Sequence, residues 1–272
     1  MGEKTQAMTE KNLIAQHLET ALKAAKLAGA YILEEGSKDH IAVRSKHTND
    51  FVTDTDKGAE ERIISVIKES FPNDAIFGEE TGKEGNQKTG RWIIDPIDGT
   101  TNFFRSLPNY TVSIAWELEP FKPLVGVVYN PRQGELFWAS KGKGSFLNGK
   151  AISVSSVSHM ERALLVCVPP HRRHDLAEQY FARAKQLFLS CSDFRSYGSC
   201  ALELSYIAAG RLDGYYELCL GYYDMAAGML IVQEAGGMVE SADPARPFED
   251  TRCDLVASNG LIQHQILHMV QS

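Results

Sequence analysis

The sequence lacks the features that mark membrane-spanning and secreted proteins. No stretch approaches the roughly 18 uninterrupted apolar residues that a membrane span requires, and residues 1–12 are polar, without the apolar segment of a secretion signal. Positive charge is also scarce, because 35 acidic residues outnumber 28 basic ones and give a net charge of −7. This balance argues against a broad nucleic-acid surface, although it leaves room for a local basic patch. We therefore expect neither a membrane nor a nucleic-acid partner.

Cysteine is sparse and shows no pairing pattern. The five cysteines are odd in number, widely spaced and free of any C-x-x-C pair. This pattern argues against a disulfide framework and against a zinc site, and it predicts reduced thiols in a cytoplasmic protein. The cysteines are Cys167, Cys191, Cys200, Cys219 and Cys253.

The length of 272 residues, with 43% hydrophobic and 23% charged residues, allows one large domain or two lobes. Apolar residues at helical spacing predict a long helix from Thr9 to about Glu35. Hairpin-like turns near Asn148 and Gly149, followed by a new strand from Ala163, suggest a boundary near residue 150. We therefore expect an N-terminal lobe over residues 1–150 and a C-terminal lobe over residues 151–272.

The most informative stretch runs from Trp92 to Phe103. Trp92 to Ile94 form a short apolar run typical of a buried strand, and Pro96 cannot donate to a sheet ladder, so the strand is predicted to end at about Asp95. The carboxylates of Asp95 and Asp98 should then lie together at a strand end. Two carboxylates about 5 Å apart repel each other by roughly 3 kcal/mol at an effective dielectric constant near 20.

A cluster of such acids predicts bound divalent cations. Oxygen ligands favour Mg²⁺, Mn²⁺ or Ca²⁺ over softer metals. The D-x-x-D-G pattern alone fits an ordinary surface turn equally well, but Glu79 and Asp224 also lie at boundaries of predicted elements. With Asp95 and Asp98 they resemble the ligands of a two-metal site, which suits phosphoryl transfer. Backbone amides around Gly99 could then hold phosphate oxygens.

A basic run follows the predicted strand at residues 163–168. Its sequence is Pro169-Pro170-His171-Arg172-Arg173-His174. The run could face a second anionic group on a substrate, or it could be a solvated loop before the next helix, and the loop is the preferred interpretation.

Three stretches resemble the signature motifs of the inositol monophosphatase family. They are G-E-E at 78–80, W-I-I-D-P-I-D-G-T-T-N-F at 92–103 and Y-D-M-A-A-G-M-L-I-V-Q-E-A-G-G at 223–237, in the family's order. The resemblance extends over nearly the whole chain. It implies an α+β fold, the layered αβαβα sandwich of the sugar phosphatases.

The resemblance also implies metal ligands and catalytic residues. Glu79, Asp95 and the carbonyl of Ile97 would bind one Mg²⁺, and Asp95, Asp98 and Asp224 would bind a second, with two or three ions in all.

Thr100, paired with Asp56, would orient and help deprotonate the attacking water, and Glu79 would lie close to that water. Asp56 could alternatively serve only to cap the second predicted helix.

The same comparison implies a substrate-binding wall. Cys200 stands where most relatives have a small residue such as Ala, and together with the basic run at 171–174 it leaves the identity of the substrate open. Tyr223 stands where most relatives have Trp, and it should keep an aromatic wall and leave metal binding intact. The implied substrate-binding residues are Asp98, Gly99, Thr100, Arg195, Gly198, Ser199, Cys200, Glu217 and Asp224.

The resemblance implies Mg²⁺-dependent, lithium-sensitive hydrolysis of a small phosphomonoester by direct attack of water, in a homodimer. Inositol monophosphate is the first expected substrate. Relatives with the same metal site act on fructose 1,6-bisphosphate, histidinol phosphate, 3′-phosphoadenosine 5′-phosphate or NADP. Because some bacterial members are linked to RNA polymerase, a regulatory role is the non-enzymatic alternative, and a Ca²⁺-stabilised structural domain is a third.

Overall fold

The computed structural model describes residues 2–38, 43–47, 50–86 and 89–271. Within these ranges, two large β-sheets alternate with layers of helices, and a short hairpin lies apart from both sheets. The helices are α1 (Gly2–Gly36), α2 (Asp54–Ser70), α3 (Thr100–Phe104), α4 (Ala177–Ser190), α5 (Cys200–Ala208), α6 (Tyr222–Glu234) and α7 (Gln263–Gln271). None of the helices in these ranges combines the length and the hydropathy needed to cross a membrane.

The strands of the hairpin and of the larger sheet come from the first part of the chain. The hairpin consists of β1 (Val43–His47) and β2 (Asp50–Thr53). The larger sheet contains β3 (Ala75–Gly78), β4 (Gly82–Glu84), β5 (Arg91–Asp98), β6 (Thr111–Glu119), β7 (Lys122–Asn130), β8 (Glu135–Ser140), β9 (Ser145–Leu147) and β10 (Lys150–Ile152). Its strand order is β10-β9-β8-β7-β6-β5-β3-β4, and β3 and β5 are parallel. The carboxyl ends of β3 and β5 therefore meet at one edge.

The smaller sheet has the order β12-β11-β13-β15-β14. Strand β11 runs parallel to both β12 and β13, whereas β15 is antiparallel to β13 and β14. Its strands are β11 (Leu164–Val168), β12 (Asp193–Arg195), β13 (Gly214–Leu220), β14 (Met238–Ser241) and β15 (Cys253–Ser258).

Burial explains how the layers pack. Helix α1 presents a stripe of small residues to β6 and β7, including Ala21, Ala25 and Ala28, which are fully buried and let the helix approach closely. Helices α5 and α6 are apolar on nearly every side because they lie between the two sheets. Helices α4 and α7 pack against each other, on a third cluster of buried residues with β11, β13 and β15. The predicted αβαβα sandwich is confirmed.

Two sequence-based boundaries need correction. The first helix begins at Gly2 rather than Thr9, consistent with the strong helix formers among residues 3–8. Strand β5 does not end at Asp95, because pairing with β6 resumes at Asp98 after an irregularity that contains Pro96. A bulge places the proline outside the ladder, so its missing N–H costs no sheet hydrogen bond. The division into lobes at residue 150 stays a prediction.

Candidate active site

A cavity of about 390 Å³ lies where β5, β11 and β13 end and where α3, α5 and α6 begin. Ligand sites in proteins commonly have this size, and they often lie at the carboxyl ends of strands. Most residues predicted for the site line the cavity. They are Glu79, Asp95, Ile97, Asp98, Gly99, Thr100, Gly198, Ser199, Cys200, Glu217 and Asp224.

Three buried carboxylates form the centre of the site. One oxygen from each of Asp95, Asp98 and Asp224 lies within 4.8 Å of the others. Asp95 and Asp98 flank the bulge of β5, and Asp224 comes from the first turn of α6. The bulge matters because it lets both acids of one strand face the same cavity.

The electrostatics of this cluster fit a divalent cation. Burial, reinforced by the charges of Glu79, Asp98 and Asp224, raises the pKa of Asp95 well above its usual range. Burial and the nearby charge of Asp224 raise the pKa of Asp98 to about 7. Carboxylates packed this closely repel one another, and hard cations with oxygen ligands relieve that repulsion. The donor set therefore suits a metal ion of the Mg²⁺ or Ca²⁺ type.

Asp98 also joins the two halves of the site. Its Oδ2 accepts hydrogen bonds from Ser199 Oγ at 2.7 Å and from the backbone N–H of Ala201 at 2.6 Å. Strand β5 of the larger sheet is thereby tied to the first turn of α5. The same contacts place Ser199 beside the acid cluster, and its role in substrate binding stays a prediction.

Thr100 and Asp56 form a hydrogen-bonded pair beside the acid cluster. Thr100 Oγ1 donates to Asp56 Oδ1 at 3.0 Å and lies 3.1 Å from the carbonyl oxygen of Ile97. Asp56 Oδ2 accepts from the backbone N–H of Thr53 at 2.8 Å, which completes a capping box at the start of α2. Asp56 therefore caps α2 with one oxygen and accepts from Thr100 with the other, so a capping role and a pairing with Thr100 are compatible. Burial raises the pKa of Asp56 to about 6.

Asp224 is held in a similar way. Its Oδ2 accepts from the backbone N–H of Gly221 at 2.7 Å, at the start of α6. The preceding residue, Tyr223, packs its ring against Phe77 with centroids 5.7 Å apart. An aromatic contact therefore braces the turn that carries this acid, although Tyr stands in place of the Trp expected from the family.

Gly99 allows α3 to approach α5. Its φ is +94°, and a Cβ there would lie 2.9 Å from the carbonyl oxygen of Asn109 and 3.0 Å from that of Gly198. Any larger residue would be strained by its backbone conformation and would also collide with both carbonyls. The close approach holds Thr100 near the start of α5.

The predicted substrate wall is only partly assembled. Glu217 and Cys200 are buried at the cavity, and Tyr215 donates its hydroxyl hydrogen to Glu217 Oε2. Burial raises the pKa of the Cys200 thiol well above its usual range, which keeps the thiol protonated. Arg195 is not among the lining residues. It is exposed on β12 and forms an ion pair with Asp193 at 2.6 Å.

Sequence reasoning missed Glu203. This residue is fully buried, lines the cavity and accepts hydrogen bonds through Oε1 from the backbone N–H groups of Tyr197 and Gly198. Its Oε2 is buried without a hydrogen-bond partner, and burial raises the pKa of Glu203 to about 8. The signal was present, because Glu203 is the single charged residue in an otherwise apolar helix.

The basic run was also misjudged in part. His171 and Arg172 line the cavity together with Val168, the last residue of β11. The preferred interpretation as a solvated loop therefore accounts for only some of its residues. Arg173, for example, forms an ion pair with Asp175 at 2.6 Å.

Comparison with known proteins agrees with this geometry. The sequence profile described as the inositol monophosphatase family matches residues 14–272. Nus factor SuhB of Pasteurella multocida (strain Pm70) is 41% identical over 256 residues, which span 93% of this chain and 95% of that protein.

Two solved structures have the same fold. The extragenic suppressor protein suhB from Bartonella henselae superimposes with a TM-score of 0.88 at 32% identity, covering 94% of this chain and 99% of that one. Inositol monophosphatase from Anabaena (Nostoc) sp. PCC 7120 gives a TM-score of 0.82 at 33% identity, covering 96% of each chain. Since the profile, the relative and the structures each cover nearly the whole chain, the protein belongs to the inositol monophosphatase family.

Proposed function

We propose that the chain is a Mg²⁺-dependent phosphatase that hydrolyses a small phosphomonoester, with inositol monophosphate as the first candidate, by direct attack of water. The observation that carries the proposal is the buried cluster of Asp95, Asp98 and Asp224 beside the hydrogen-bonded pair of Thr100 and Asp56. An acid cluster alone could hold a structural cation, whereas the Thr100–Asp56 hydrogen bond beside this cluster would also supply a proton acceptor.

The acid cluster would hold two or three Mg²⁺ ions. Glu79, Asp95 and the carbonyl of Ile97 form one proposed ligand set, and Asp95, Asp98 and Asp224 form the other. Bound ions would neutralise the charge of the phosphoryl group and make water easier to deprotonate.

Thr100 and Asp56 would handle the proton of the attacking water. The Thr100 hydroxyl, held by Asp56 Oδ1, orients the water, and the pair takes up its proton as the water oxygen bonds to phosphorus. The ester P–O bond breaks in the same displacement, and the leaving alkoxide takes a proton from solvent. A pKa of about 6 suits Asp56 to this acceptor role. Glu79 would lie near the same water.

The alcohol portion of the substrate would contact the wall formed by Gly198, Ser199, Cys200 and Glu217. The Glu217 carboxyl is already oriented by the Tyr215 hydroxyl, so it is prepared to bind a substrate hydroxyl. The phosphate would lie beside Gly99 and Thr100. Arg195 could contribute only after a rearrangement, because its side chain pairs with Asp193.

The deciding test is phosphate release from inositol 1-phosphate and the family's other substrates, with and without Mg²⁺. Hydrolysis that needs Mg²⁺ and is abolished by Asp98→Asn supports the proposal. Absence of turnover with every compound would overturn it. Lithium inhibition and a dimeric mass in solution are further expectations, each measurable on the same preparation, and a cytoplasmic location would be checked by cell fractionation.

A second candidate is a regulatory role with the transcription machinery. It is favoured by one observation, which is that relatives about 41% to 44% identical are named Nus factor SuhB. Capture of transcription proteins from a bacterial lysate by both the wild-type chain and Asp98→Asn would support a role independent of catalysis. Failure of both proteins to capture them would count against it.

A further inference from the structure

Helix α2 carries a second buried carboxylate besides Asp56. Glu60 is 1% exposed and is not among the described residues that line the cavity. Residues four apart in a helix are neighbours on one face, so Glu60 and Asp56 project from the same side of α2. Burial raises the pKa of Glu60 above its usual range. A buried carboxylate is costly unless hydrogen bonds compensate for its lost hydration, so the partners of Glu60 indicate what this acid does.

Both oxygens of Glu60 accept hydrogen bonds from the turn that follows β3. Oε2 accepts from the backbone N–H of Glu80 at 3.1 Å, and Oε1 accepts from that of Thr81 at 2.8 Å. Successive backbone N–H groups that converge on one point form an anion-binding concavity. In this protein the anion is the carboxylate of Glu60, which thereby attaches the turn to α2.

The same turn begins with Glu79, a proposed metal ligand. Gly78 of β3 pairs with Gly82 of β4, so residues 79–81 alone connect the two strands. The backbone N–H of Glu79 donates to the carbonyl oxygen of Ile94 in β5 at 3.0 Å. The N–H groups of the next two residues bind Glu60. The backbone that carries Glu79 is therefore held on one side by the larger sheet and on the other by α2.

Gly78 makes room for the Glu60 carboxyl group. A Cβ at position 78 would lie 2.7 Å from Glu60 Cδ and 2.7 Å from Thr81 Oγ1. Non-bonded carbon atoms prefer separations of about 3.5–4.0 Å. Any larger residue at position 78 would therefore push the Glu60 carboxyl group away from the turn. The glycine of the G-E-E stretch at 78–80 is explained by this acid on α2.

We propose that Glu60 is a positioning residue for metal binding, because it holds the turn at residues 79–81 so that the Glu79 carboxylate faces the metal site. Helix α2 would then support two parts of the site, Thr100 through Asp56 and Glu79 through Glu60. The proposal rests on the proposed function, in which Glu79 is a metal ligand. It adds a residue that acts on that ligand without touching the ion.

The test measures metal binding directly. Mn²⁺ is the probe, because oxygen ligands suit it and because electron paramagnetic resonance counts the unbound ion. We expect Glu60→Gln to weaken one bound Mn²⁺ by roughly tenfold or more, as is usual for groups that orient a metal ligand. Gln has a single acceptor oxygen, so one N–H of the turn would face its amide group. Gly78→Ala should weaken the same ion, although it removes no charge.

Two controls separate positioning from loss of charge and from loss of stability. Glu61→Gln removes the same charge from an exposed position on α2. Ile63→Ala removes a buried side chain by which α2 packs in the core. Neither variant should change the affinity for Mn²⁺, and chemical denaturation in EDTA should show that every variant is folded.

The proposal is overturned if Glu60→Gln binds Mn²⁺ as the wild type does, if Gly78→Ala leaves binding unchanged, or if Ile63→Ala weakens binding as much as Glu60→Gln. Mn²⁺ binding and Mg²⁺-dependent hydrolysis that are the same in the wild type and in Glu60→Gln would overturn the positioning role while leaving the proposed function intact. A wild-type chain that binds no Mn²⁺ would overturn both.

Discussion

Thr100 Oγ1 lies 3.0 Å from Asp56 Oδ1, although the two residues are 44 positions apart in the chain. Asp56 cannot move freely to make this contact, because its other oxygen is bound to the backbone of Thr53 at the start of α2. The capping hydrogen bond at the start of α2 therefore fixes the position of the Asp56 carboxylate, which accepts the hydrogen bond from the Thr100 hydroxyl.

We expect Thr100→Ala to lower kcat by roughly 10²- to 10⁴-fold, the usual contribution of a positioned proton-transfer group. The Mg²⁺ concentration needed for half-maximal activity should change little, because the side-chain hydroxyl is not among the proposed ligands. Steady-state kinetics over a range of Mg²⁺ concentrations separates the two effects. Thr100→Ser, which keeps the hydroxyl, is the control, and an effect of Thr100→Ala on KM alone would contradict the proposed role.

Asp98→Asn should abolish most activity while the chain stays folded. The Asn side chain has a single acceptor oxygen, which is needed by the Ser199 hydroxyl and the Ala201 N–H, and its amide group would then replace the ligand oxygen. We expect kcat to fall by at least about 10²-fold, because the bound metal ion would lose the negative charge of one proposed ligand.

Asp243→Asn is a suitable control for that change, since Asp243 lies outside the cavity and pairs with Arg246. Circular dichroism would confirm folding, and Mg²⁺ titration would measure the loss of metal affinity. Near-normal activity of Asp98→Asn would show that the ligand assignment is wrong.

Without metal, the protein should lose stability as the pH rises. The pKa of Asp98 is raised by burial from 3.8 to about 7, and that of Asp56 to about 6. Between pH 4 and 7 the folded state therefore holds more protons than the unfolded state, so the free energy of unfolding falls as these protons leave. Mg²⁺ binds the deprotonated carboxylates and should restore most stability at high pH.

The expected result is a larger increase in Tm on adding Mg²⁺ at pH 8 than at pH 5, by roughly 3–10 °C. Thermal unfolding in EDTA and in excess Mg²⁺ at both pH values measures this. Asp98→Asn should reduce the difference between the two pH values. A Tm increase that is the same at pH 5 and pH 8 would contradict the coupling between carboxylate ionisation and metal binding.

Much of the fold could be predicted from local patterns. The apolar run at Trp92 predicted a buried strand ahead of Gly99, and the structure has β5 followed by Gly99 and the first turn of α3. Pro96 misled the prediction, because a bulge is a property of two paired strands and cannot be recognised in one of them.

The contacts that assemble the site were beyond local patterns. The position of Arg172 depends on the register between β11 and β13, which brings Val168 beside Glu217. Arg195 is the opposite case. A family motif predicted that it contacts the substrate, but in the structure Arg195 is exposed on the short strand β12 and pairs with Asp193. Sequence patterns identify candidate residues, whereas strand register and helix packing decide which of them meet.

Glu203 holds the start of the predicted substrate wall through hydrogen bonds to the backbone. Its Oε1 holds the N–H groups of both Tyr197 and Gly198, and the carbonyl oxygen of Tyr197 in turn accepts from Asn102 at 2.7 Å. Through this chain of hydrogen bonds, α5 fixes the segment that also docks α3. The Glu203 carboxyl, whose pKa burial raises to about 8, therefore lies where two backbone N–H groups need its acceptor oxygen.

Glu203→Ala should therefore destabilise the chain by roughly 2–4 kcal/mol, because two backbone donors would be left without an acceptor, and kcat/KM should fall. Glu203→Gln keeps the acceptor and serves as the control. Because the folded-state pKa of Glu203 is raised from 4.5 to about 8, ionisation costs the wild-type chain stability as pH rises across that interval, a cost that Gln avoids. Chemical denaturation should show that Glu203→Gln gains stability relative to wild type between pH 6 and pH 9. A constant difference across this range would mean that Glu203 ionises as freely in the folded chain as in the unfolded one.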